Sequence, residues 1–261
     1  MSLKIFILCG GAGTRLDHVG KVIAKPMVRI GKEPILFHLI SNFASQKLKE
    51  FVICTGYKSE TILNYFLKEN KKFISDYSKI SKNVITFRFS KHKLNVKCNI
   101  VYTGQKTATG GRIKLANKLL KLKEDFLMTY GDGLSNINIK KLINFHYKKN
   151  SYVTLTAVKP KHKYGILTIK NLKVFSFDDS KSKKTDHYIN GGFFIISSDA
   201  VNKIKKNQVF WENEPLKYAI KNKKVFAFKH EGFWQSIDTL KDLNELNDLY
   251  KKGKMPWKIN A

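Results

Sequence analysis

The sequence predicts an α/β three-layer sandwich, Rossmann-like, in which a mostly parallel central sheet carries a small antiparallel β addition. Two observations predict it. Across the first 150 residues, short runs rich in β-branched and aromatic residues alternate with segments of helical period, and this alternation is typical of parallel βαβ units. From Val153 onward the strand-like runs follow one another with only turn residues between them, which predicts antiparallel pairing. We expect one domain over residues 1–261, with two halves that meet near residue 150.

Five predicted strands and two predicted helices organise the first half of the chain. The strands end in Gly, Asp or Thr, and the carboxyl ends of parallel strands line the ligand crevice of an open α/β sheet. We therefore expect Gly10, Gly11, Gly104 and Asp132 to converge there. The predicted strands are KIFIL, EFVICTG, VITFRF, NIVYTG and DFLMTYGDG, and the predicted helices are EPILFHLISNFASQ and ETILNYFLKEN.

The segment from Lys71 to Lys97 is rich in Lys and Ser and contains one predicted strand. This composition indicates either a solvated excursion or an oligomer contact. In the second half the predicted strands are VTLTAV, GILTI, KVFSF and YINGGFFII, and helical patterns return at EPLKYAI and DTLKDLNELNDLYKK.

The formal net charge of +29 raises the question of a polyanionic partner, because a basic surface is typical of proteins that bind nucleic acid or anionic membranes. Only four of the 49 basic residues are arginines. Planar, bidentate recognition of phosphate and guanine favours Arg, whereas solvated lysines are easily tolerated over a whole surface. We interpret the charge as a surface composition and expect no specific nucleic-acid partner.

Cysteine usage and hydropathy bear on the compartment. Cys9, Cys54 and Cys98 have no metal-binding spacing and cannot all pair with one another, which favours a reducing environment. The apolar run Ile5 to Cys9 is too short for a signal sequence, and no window approaches the ~20 apolar residues of a membrane span. We expect a cytoplasmic protein without membrane association.

Three glycines follow the first predicted strand. Gly10, Gly11 and Gly13 allow the backbone to turn sharply and to present several N–H groups to one point, which makes a concavity that binds anions. Thr14-Arg15-Leu16 rules out a Walker loop, which needs Gly-Lys-Ser/Thr there, and Leu16 also rules out a dinucleotide fingerprint, which needs a third small residue. Without further support the loop is either a phosphate cradle or only a turn.

Two cations accompany this loop. The guanidinium fork of Arg15 matches phosphate oxygens, and Lys25 follows ten residues later. Pro26 biases Lys25 towards an extended backbone, which would hold the ammonium in one direction.

A triphosphate bound here would need a divalent cation, and Mg²⁺ is usually held by one or two carboxylates together with phosphate oxygens. Asp132 stands between glycines just beyond a predicted strand, and Asp238 precedes the last predicted helix. Each has another interpretation. Asp132 is also suited to an Asx turn, and Asp238 to the N-cap of a helix that starts at Thr239.

The pair of motifs GGAGTRL and KPM resembles the sugar-nucleotidyltransferase superfamily, whose members carry a GGxGTRL loop followed by a KPM element. The resemblance extends to glucose-1-phosphate cytidylyltransferases and covers residues from about Lys4 to Lys258. The motifs that carry it are VICTGYK, Thr103-Gly104, TGGRIK, FLMTYGDG, YINGGFFII, WENEPL, GFWQSIDTLKDL and the closing PWK.

This resemblance implies the nucleotidyltransferase fold and Mg²⁺-dependent transfer of a cytidylyl group from CTP to a sugar 1-phosphate, with glucose 1-phosphate as the expected acceptor. Residues 1–150 would bind the nucleotide and residues 151–261 the acceptor, in a homo-oligomer. Arg15 and Lys25 would be catalytic, and Asp132 and Asp238 would hold the metal. The nucleotide would lie on Leu8, Gly10, Gly11, Gly13, Thr14, Thr103, Thr109, Gly110, Gly111 and Arg112. The acceptor would lie on Gly165, Asp179, Asn190 and Gly191.

One departure from the pattern affects the acceptor. Such cytidylyltransferases carry Glu-Lys-Pro shortly before INGG, whereas this chain has Asp179 and Ser180 there and one inserted residue. Lys181 or Lys183 would have to supply the missing ammonium. The alternatives are therefore another phosphorylated small molecule as acceptor, dTTP or UTP as the nucleotide, or a protein that binds a nucleotide sugar without turnover.

Overall fold

A mixed nine-stranded sheet organises the computed structural model, which describes residues 3–11, 22–160, 166–170, 173–178 and 187–259. Its strands, in chain order, are β1 Lys4–Cys9, β4 Glu50–Thr55, β5 Ile74–Ser81, β6 Val84–Phe89, β7 Val96–Tyr102, β8 Phe126–Tyr130, β10 Val153–Val158, β13 Ile189–Ile196 and β14 Val225–His230. Three further pairs are β2 Arg29–Ile30 with β3 Glu33–Pro34, β9 Gly133–Ser135 with β15 Trp234–Ser236, and β11 Ile166–Lys170 with β12 Lys173–Asp178.

Helices cover both faces of the sheet. They are α1 Ile35–Ser45, α2 Ser59–Asn64, α3 Thr109–Leu120, α4 Ile139–Lys148, α5 Ser198–Val201, α6 Glu214–Asn222 and α7 Leu240–Lys251. A π-helical turn, Tyr65–Glu69, continues α2, and 3-10 turns lie at Lys25–Met27 and Lys71–Phe73.

The centre of the sheet is parallel. The strand order is β14-β10-β13-β8-β1-β4-β7-β6-β5, and β8, β1, β4 and β7 run in one direction. Strands β13, β6 and β5 join antiparallel at the flanks. The predicted fold class is confirmed, and the carboxyl ends of the central strands open on one side of the molecule as parallel pairing requires.

Alternate residues of β1 explain the three layers. Ile5 and Ile7 pack into one buried cluster with α1, whereas Phe6 and Leu8 pack into a second cluster with α3 and α6. Successive side chains of a strand point to opposite faces, so a strand without polar interruptions must be covered on both. The apolar runs of β1 and β4 in the sequence are therefore the signature of a buried central strand.

The second half joins the same sheet and differs in one respect from the expectation. Strand β13 pairs antiparallel with both β8 and β10, as expected. Strand β14, which the sequence analysis did not predict, pairs parallel with β10, and Val153 lies opposite Val225. The hairpin of β11 and β12 and the pair of β9 and β15 are the small antiparallel additions.

The segment from Lys71 to Lys97 contains two complete strands, β5 and β6, rather than one. β5 has no apolar alternation, because seven of its eight residues are exposed. β5 lies at the edge of the sheet and pairs with β6 through main-chain hydrogen bonds. A side-chain pattern does not reveal pairing of this kind.

Candidate active site

The carboxyl ends of β1 and β8 open on a cavity of about 760 Å³, a volume within the range of small-molecule sites. Gly10, Gly11 and Asp132 line it, as the parallel arrangement predicted. Gly104 is adjacent, since its carbonyl accepts a hydrogen bond from the cavity residue Arg112. The lining also includes Leu8, Cys9, Lys25, Pro26, Gln105, Lys106, Thr107, Ala108, Thr109, Arg112, Tyr130, Gly131, Gln208, Phe210 and Asp238.

Lys25 links the two predicted metal ligands. Its Nζ lies 2.7 Å from Asp132 Oδ2 and 3.0 Å from Asp238 Oδ1, although these residues are 107 and 213 positions away in the chain. Only 10% of the Lys25 side chain is exposed. Burial opposes its charged form, but the two carboxylates outweigh burial and raise the pKa of Lys25 above its ordinary value. The ammonium is therefore a fixed positive charge in the cavity wall.

The backbone of Lys25 differs from the expectation. Pro26 predicted an extended conformation, but Lys25 opens a 3-10 turn in which Met27 N donates to Ala24 O at 2.8 Å. Ala24 takes the extended conformation instead, at φ −61° and ψ 136°. Pro at the second position of a helical turn loses no hydrogen bond, so the turn aims the ammonium without an extended segment.

Asp238 is held by its neighbours and does not cap the last helix. Thr239 is the N-cap of α7: its Oγ1 accepts from Asp242 N at 3.2 Å, and Asp242 Oδ2 accepts from Thr239 N at 2.8 Å. The N-cap interpretation of Asp238 was therefore wrong. Its carboxylate accepts from Ser236 Oγ at 2.9 Å and from Lys25, which leaves it facing the cavity.

The Arg112 guanidinium hydrogen-bonds to main-chain carbonyl groups at the ends of three central strands. It is 3% exposed and donates through Nη2 to Gly10 O at 2.7 Å and through Nη1 to Thr55 O at 3.1 Å and Gly104 O at 2.9 Å. Thr103 Oγ1 also accepts from Nη1, at 2.7 Å, while its own hydroxyl donates to Thr55 O. Burial lowers the pKa of Arg112. Arg112 lines the larger cavity, but much of its donor capacity holds the protein's own backbone.

A second cavity of about 300 Å³ adjoins the first. Asn190 and Gly191 line it, and Trp234 Nε1 donates to Gly191 O at 2.7 Å. Tyr130, Asp132 and Asp238 line both cavities and so form a shared wall. A group transferred between molecules bound in the two cavities has to react at this wall.

The residues predicted on the glycine-rich loop and on the acceptor side are only partly within the described residues. Gly13, Thr14, Arg15, Gly165 and Asp179 lie outside them. Gly110 and Gly111 are described and pack against the segment 207–211.

A family model described as nucleotidyl transferase matches residues 4–253. The chain belongs to this family. Glucose-1-phosphate cytidylyltransferase of Salmonella typhimurium (strain LT2) is 39% identical, over 98% of this chain and 99% of that protein. A probable glucose-1-phosphate cytidylyltransferase of Bacillus subtilis (strain 168) is 36% identical, over 98% of this chain and 100% of that protein. The predictions of a nucleotidyltransferase and of the cytidylyltransferase resemblance are confirmed.

Solved structures agree on the fold. HddC from Yersinia pseudotuberculosis superposes with a TM-score of 0.71 at 24% identity, over 95% of this chain and 99% of that one. An apo UDP-glucose pyrophosphorylase gives a TM-score of 0.69 at 16% identity, over 98% of this chain and 100% of that one. The nucleotidyltransferase architecture is therefore shared well beyond the range of close sequence similarity.

Two residues of this nucleotidyl transferase were missed by the sequence analysis. Tyr130 Oη donates to Glu212, whose other carboxylate oxygen accepts from Thr109 Oγ1 at 2.9 Å. Burial and the adjacent Glu212 raise the pKa of Tyr130, so its hydroxyl stays protonated. Tyr130 lies in the predicted strand DFLMTYGDG and Glu212 lies in the motif WENEPL, but nothing in the sequence indicates that these two residues, 82 positions apart, are partners.

Cys9 also lines the larger cavity. Burial, with Cys54 and Asp132 nearby, raises its pKa well above the ordinary value, so the thiol is protonated at neutral pH and is a poor nucleophile. Cys9, Cys54 and Cys98 are all buried and unbridged. No helix in the described part of the chain is long and apolar enough to span a membrane.

Proposed function

We propose that this nucleotidyltransferase transfers a cytidylyl group from CTP to a sugar 1-phosphate, with glucose 1-phosphate as the first candidate. The observation that carries the proposal is that Lys25, in the larger cavity, is held between Asp132 and Asp238, the two carboxylates of the wall shared by both cavities. Relatives that are 36–39% identical over nearly the whole chain carry the name glucose-1-phosphate cytidylyltransferase, which supports the choice of both substrates.

The reaction is a displacement at the α-phosphorus of CTP. A phosphate oxygen of the acceptor forms a bond to that phosphorus, and the bond from phosphorus to the oxygen bridging the α- and β-phosphates breaks. Both electrons of the broken bond leave with pyrophosphate. The products are a CDP-sugar and pyrophosphate, and no covalent enzyme intermediate is needed, which agrees with the protonated Cys9 thiol in the cavity.

Positioning and charge stabilisation provide the acceleration in reactions of this type. The Lys25 ammonium would neutralise charge that builds up on the α-phosphate, and its fixed position means that little reorganisation is required. Arg15 would hold the departing β- and γ-phosphates. Asn190 and Gly191 would contact the acceptor from the smaller cavity.

The donor chemistry at the shared wall fits Mg²⁺. Asp132 and Asp238 bring carboxylate groups from two distant parts of the chain together on either side of Lys25 Nζ. No group of three or more His, Cys, Asp or Glu side chains in the described residues would hold a metal on its own. Mg²⁺ commonly takes one or two carboxylates and completes its shell with substrate phosphates and water. When bound, the ion would neutralise phosphate charge.

The test is a matrix of reactions in which pyrophosphate release is measured with Mg²⁺. CTP, UTP, dTTP and GTP are each combined with glucose 1-phosphate, mannose 1-phosphate, galactose 1-phosphate and glycerol 3-phosphate, and products are identified by mass spectrometry. We expect the highest kcat/KM for CTP with glucose 1-phosphate, and CDP-glucose as the product. A higher value with another nucleotide or with glycerol 3-phosphate would reassign that substrate, and no release in any combination would refute catalysis.

A further inference from the structure

The first turn of α3 is packed unusually tightly against the segment 207–212. Ala108 N donates to Asn207 O at 3.1 Å, Gly111 N donates to Val209 O at 3.3 Å, and Trp211 N donates to Thr109 Oγ1 at 2.8 Å. The first two bonds satisfy backbone N–H groups that a helix N-terminus leaves without intrahelical partners, and the third satisfies the N–H of Trp211. They also fix the segment alongside the helix.

The two glycines of TGGR make this approach possible. A Cβ on Gly110 would lie 2.7 Å from Val209 O, and a Cβ on Gly111 would lie 2.6 Å from the carbonyl carbon of Asn207. Both distances are shorter than any ordinary contact, and the atoms they meet belong to the backbone. The glycines therefore place the segment 207–212 as a wall of the larger cavity.

Some side chains of the segment 207–212 are buried in the core, and others face the larger cavity. Trp211 is fully buried in the cluster that contains α3 and α6. Gln208 and Phe210 line the cavity. Phe210 leaves 53% of its surface exposed, although burial of an apolar ring is favourable. Within the described residues, no hydrogen bond engages the Gln208 amide.

We propose that Gln208 and Phe210 form the nucleobase subsite of the cavity, an inference that rests on the proposed function. The Phe210 ring offers a face on which a pyrimidine stacks, and aromatic side chains stack bases of any identity. The Gln208 amide carries both a donor and an acceptor, and the edge of cytosine likewise presents an amino donor next to acceptors. Phe210 thus contributes a stacking surface, and Gln208 contributes a donor and an acceptor for the hydrogen-bonding edge of the pyrimidine.

The other polar groups of the lining support this assignment. The Arg112 guanidinium donates to Gly10 O, Thr55 O and Gly104 O, and the Thr109 hydroxyl donates to Glu212. Lys25 is committed to the two carboxylates where the phosphates are expected. Among the described lining residues, the side-chain amides of Gln105 and Gln208 are not engaged by an internal hydrogen bond, and Gln208 lies two positions from Phe210.

The test measures equilibrium binding by calorimetry without acceptor, in the presence of Mg²⁺. CTP, UTP and inorganic tripolyphosphate are titrated into the parent chain and into Phe210→Ala, Phe210→Trp and Gln208→Leu. We expect Phe210→Ala to weaken CTP binding about tenfold, on the order of the loss of one base stack, and Phe210→Trp to retain it. Gln208→Leu should weaken the binding of both CTP and UTP, because an amide that is free to rotate pairs with the edge of either base. Tripolyphosphate has no base, so its affinity should stay within twofold of the parent value in every variant.

Tyr147→Ala is the matched control, since Tyr147 is 46% exposed on α4 and should change nothing. CTP affinity within twofold of the parent in Phe210→Ala would overturn the subsite, and so would a parallel loss of tripolyphosphate affinity, which would indicate a purely structural role. A parent chain that binds UTP more tightly than CTP would refute the proposed nucleotide, and the Phe210 comparison would then be made with UTP. The two failures are therefore distinguishable.

Discussion

At the scale of single residues, the site depends on a buried ammonium shared by two carboxylates. Lys25 Nζ is the group that separates Asp132 from Asp238. Breaking such a cluster by removing one partner leaves uncompensated charge of one sign in a partly desolvated place. The same arrangement that holds Lys25 rigid in the cavity wall makes the cluster sensitive to any change in its charge balance.

Lys25→Ala is expected to lower kcat by about 10²–10³, the effect of removing one preorganised charge donor. CTP affinity should fall much less, because the ammonium acts mainly on charge that develops during transfer. Steady-state kinetics of pyrophosphate release, together with CTP calorimetry, measure the two effects separately. Lys252→Ala, which changes an exposed lysine, is the control. An unchanged kcat would remove Lys25 from the mechanism.

Asp132→Asn and Asp238→Asn test the metal assignment. Each change removes one of the two carboxylates that would hold Mg²⁺, so the Mg²⁺ concentration for half-maximal activity should rise in both. Asp248→Asn, an exposed carboxylate on α7, is the control. Metal titrations that match the parent in both variants would show that these carboxylates serve only to hold Lys25.

At the scale of elements, the close contact between α3 and the segment 207–212 predicts that a Gly→Ala substitution in this helix destabilises the protein. Gly→Ala inside a helix normally stabilises it by up to about 1 kcal/mol. At Gly111 the new Cβ would meet the Asn207 backbone, and overpacking typically costs about 1–3 kcal/mol. We therefore expect Gly111→Ala to lower the free energy of unfolding in urea and to weaken CTP binding. Lys118→Ala on the same helix should do neither.

The elements that sequence reasoning found and those it missed differ in what stabilises them. β1 and β4 are buried on both faces, so their apolar runs were visible in the sequence. β5 is an exposed edge strand held by main-chain bonds to β6, and its existence depends on its neighbour. The parallel pairing of β10 with β14 joins positions 72 residues apart, such as Val153 and Val225. Such register is set by the tertiary fold and not by local pattern.

In the site, too, features that depend on local sequence were predictable and features that depend on tertiary contacts were not. Lys25, Asp132 and Asp238 were predictable as neighbours because the motifs around them resemble those of a known family and because they stand at strand or helix ends. Arg112 hydrogen-bonds to the carbonyl oxygen of Gly10, and Glu212 hydrogen-bonds to Tyr130. Both contacts form only when segments that are distant in the sequence come together in the fold. No spacing in the sequence encodes those contacts.

At the scale of the whole molecule, charge bears on stability. A formal net charge of +29 on 261 residues implies self-repulsion in the compact state. Added salt should reduce this repulsion, because screening shortens the range of surface interactions to about 10 Å at 0.1 M. Acidification adds further positive charge, so a specific contribution from any one buried group has to be separated from this general effect.

His146 is expected to make such a specific contribution. It is 1% exposed, its Nδ1 lies 2.8 Å from Thr154 Oγ1, and burial lowers its pKa although Asp125 partly opposes the shift. Because the unfolded chain takes up this proton at about pH 6.5 and the folded chain only at lower pH, stability is lost as pH falls below about 6.5, by at most about 1.4 kcal/mol per pH unit. Urea unfolding at pH 7.5 and 5.5 should therefore show that the free energy of unfolding falls less in His146→Gln than in the parent. His92→Gln, at an exposed loop position, is the control. It should show the same fall as the parent, because it retains His146. Equal losses in all three proteins would show that His146 makes no specific contribution, and would leave the acid sensitivity to the net charge and to buried His38, whose pKa is also lowered by burial.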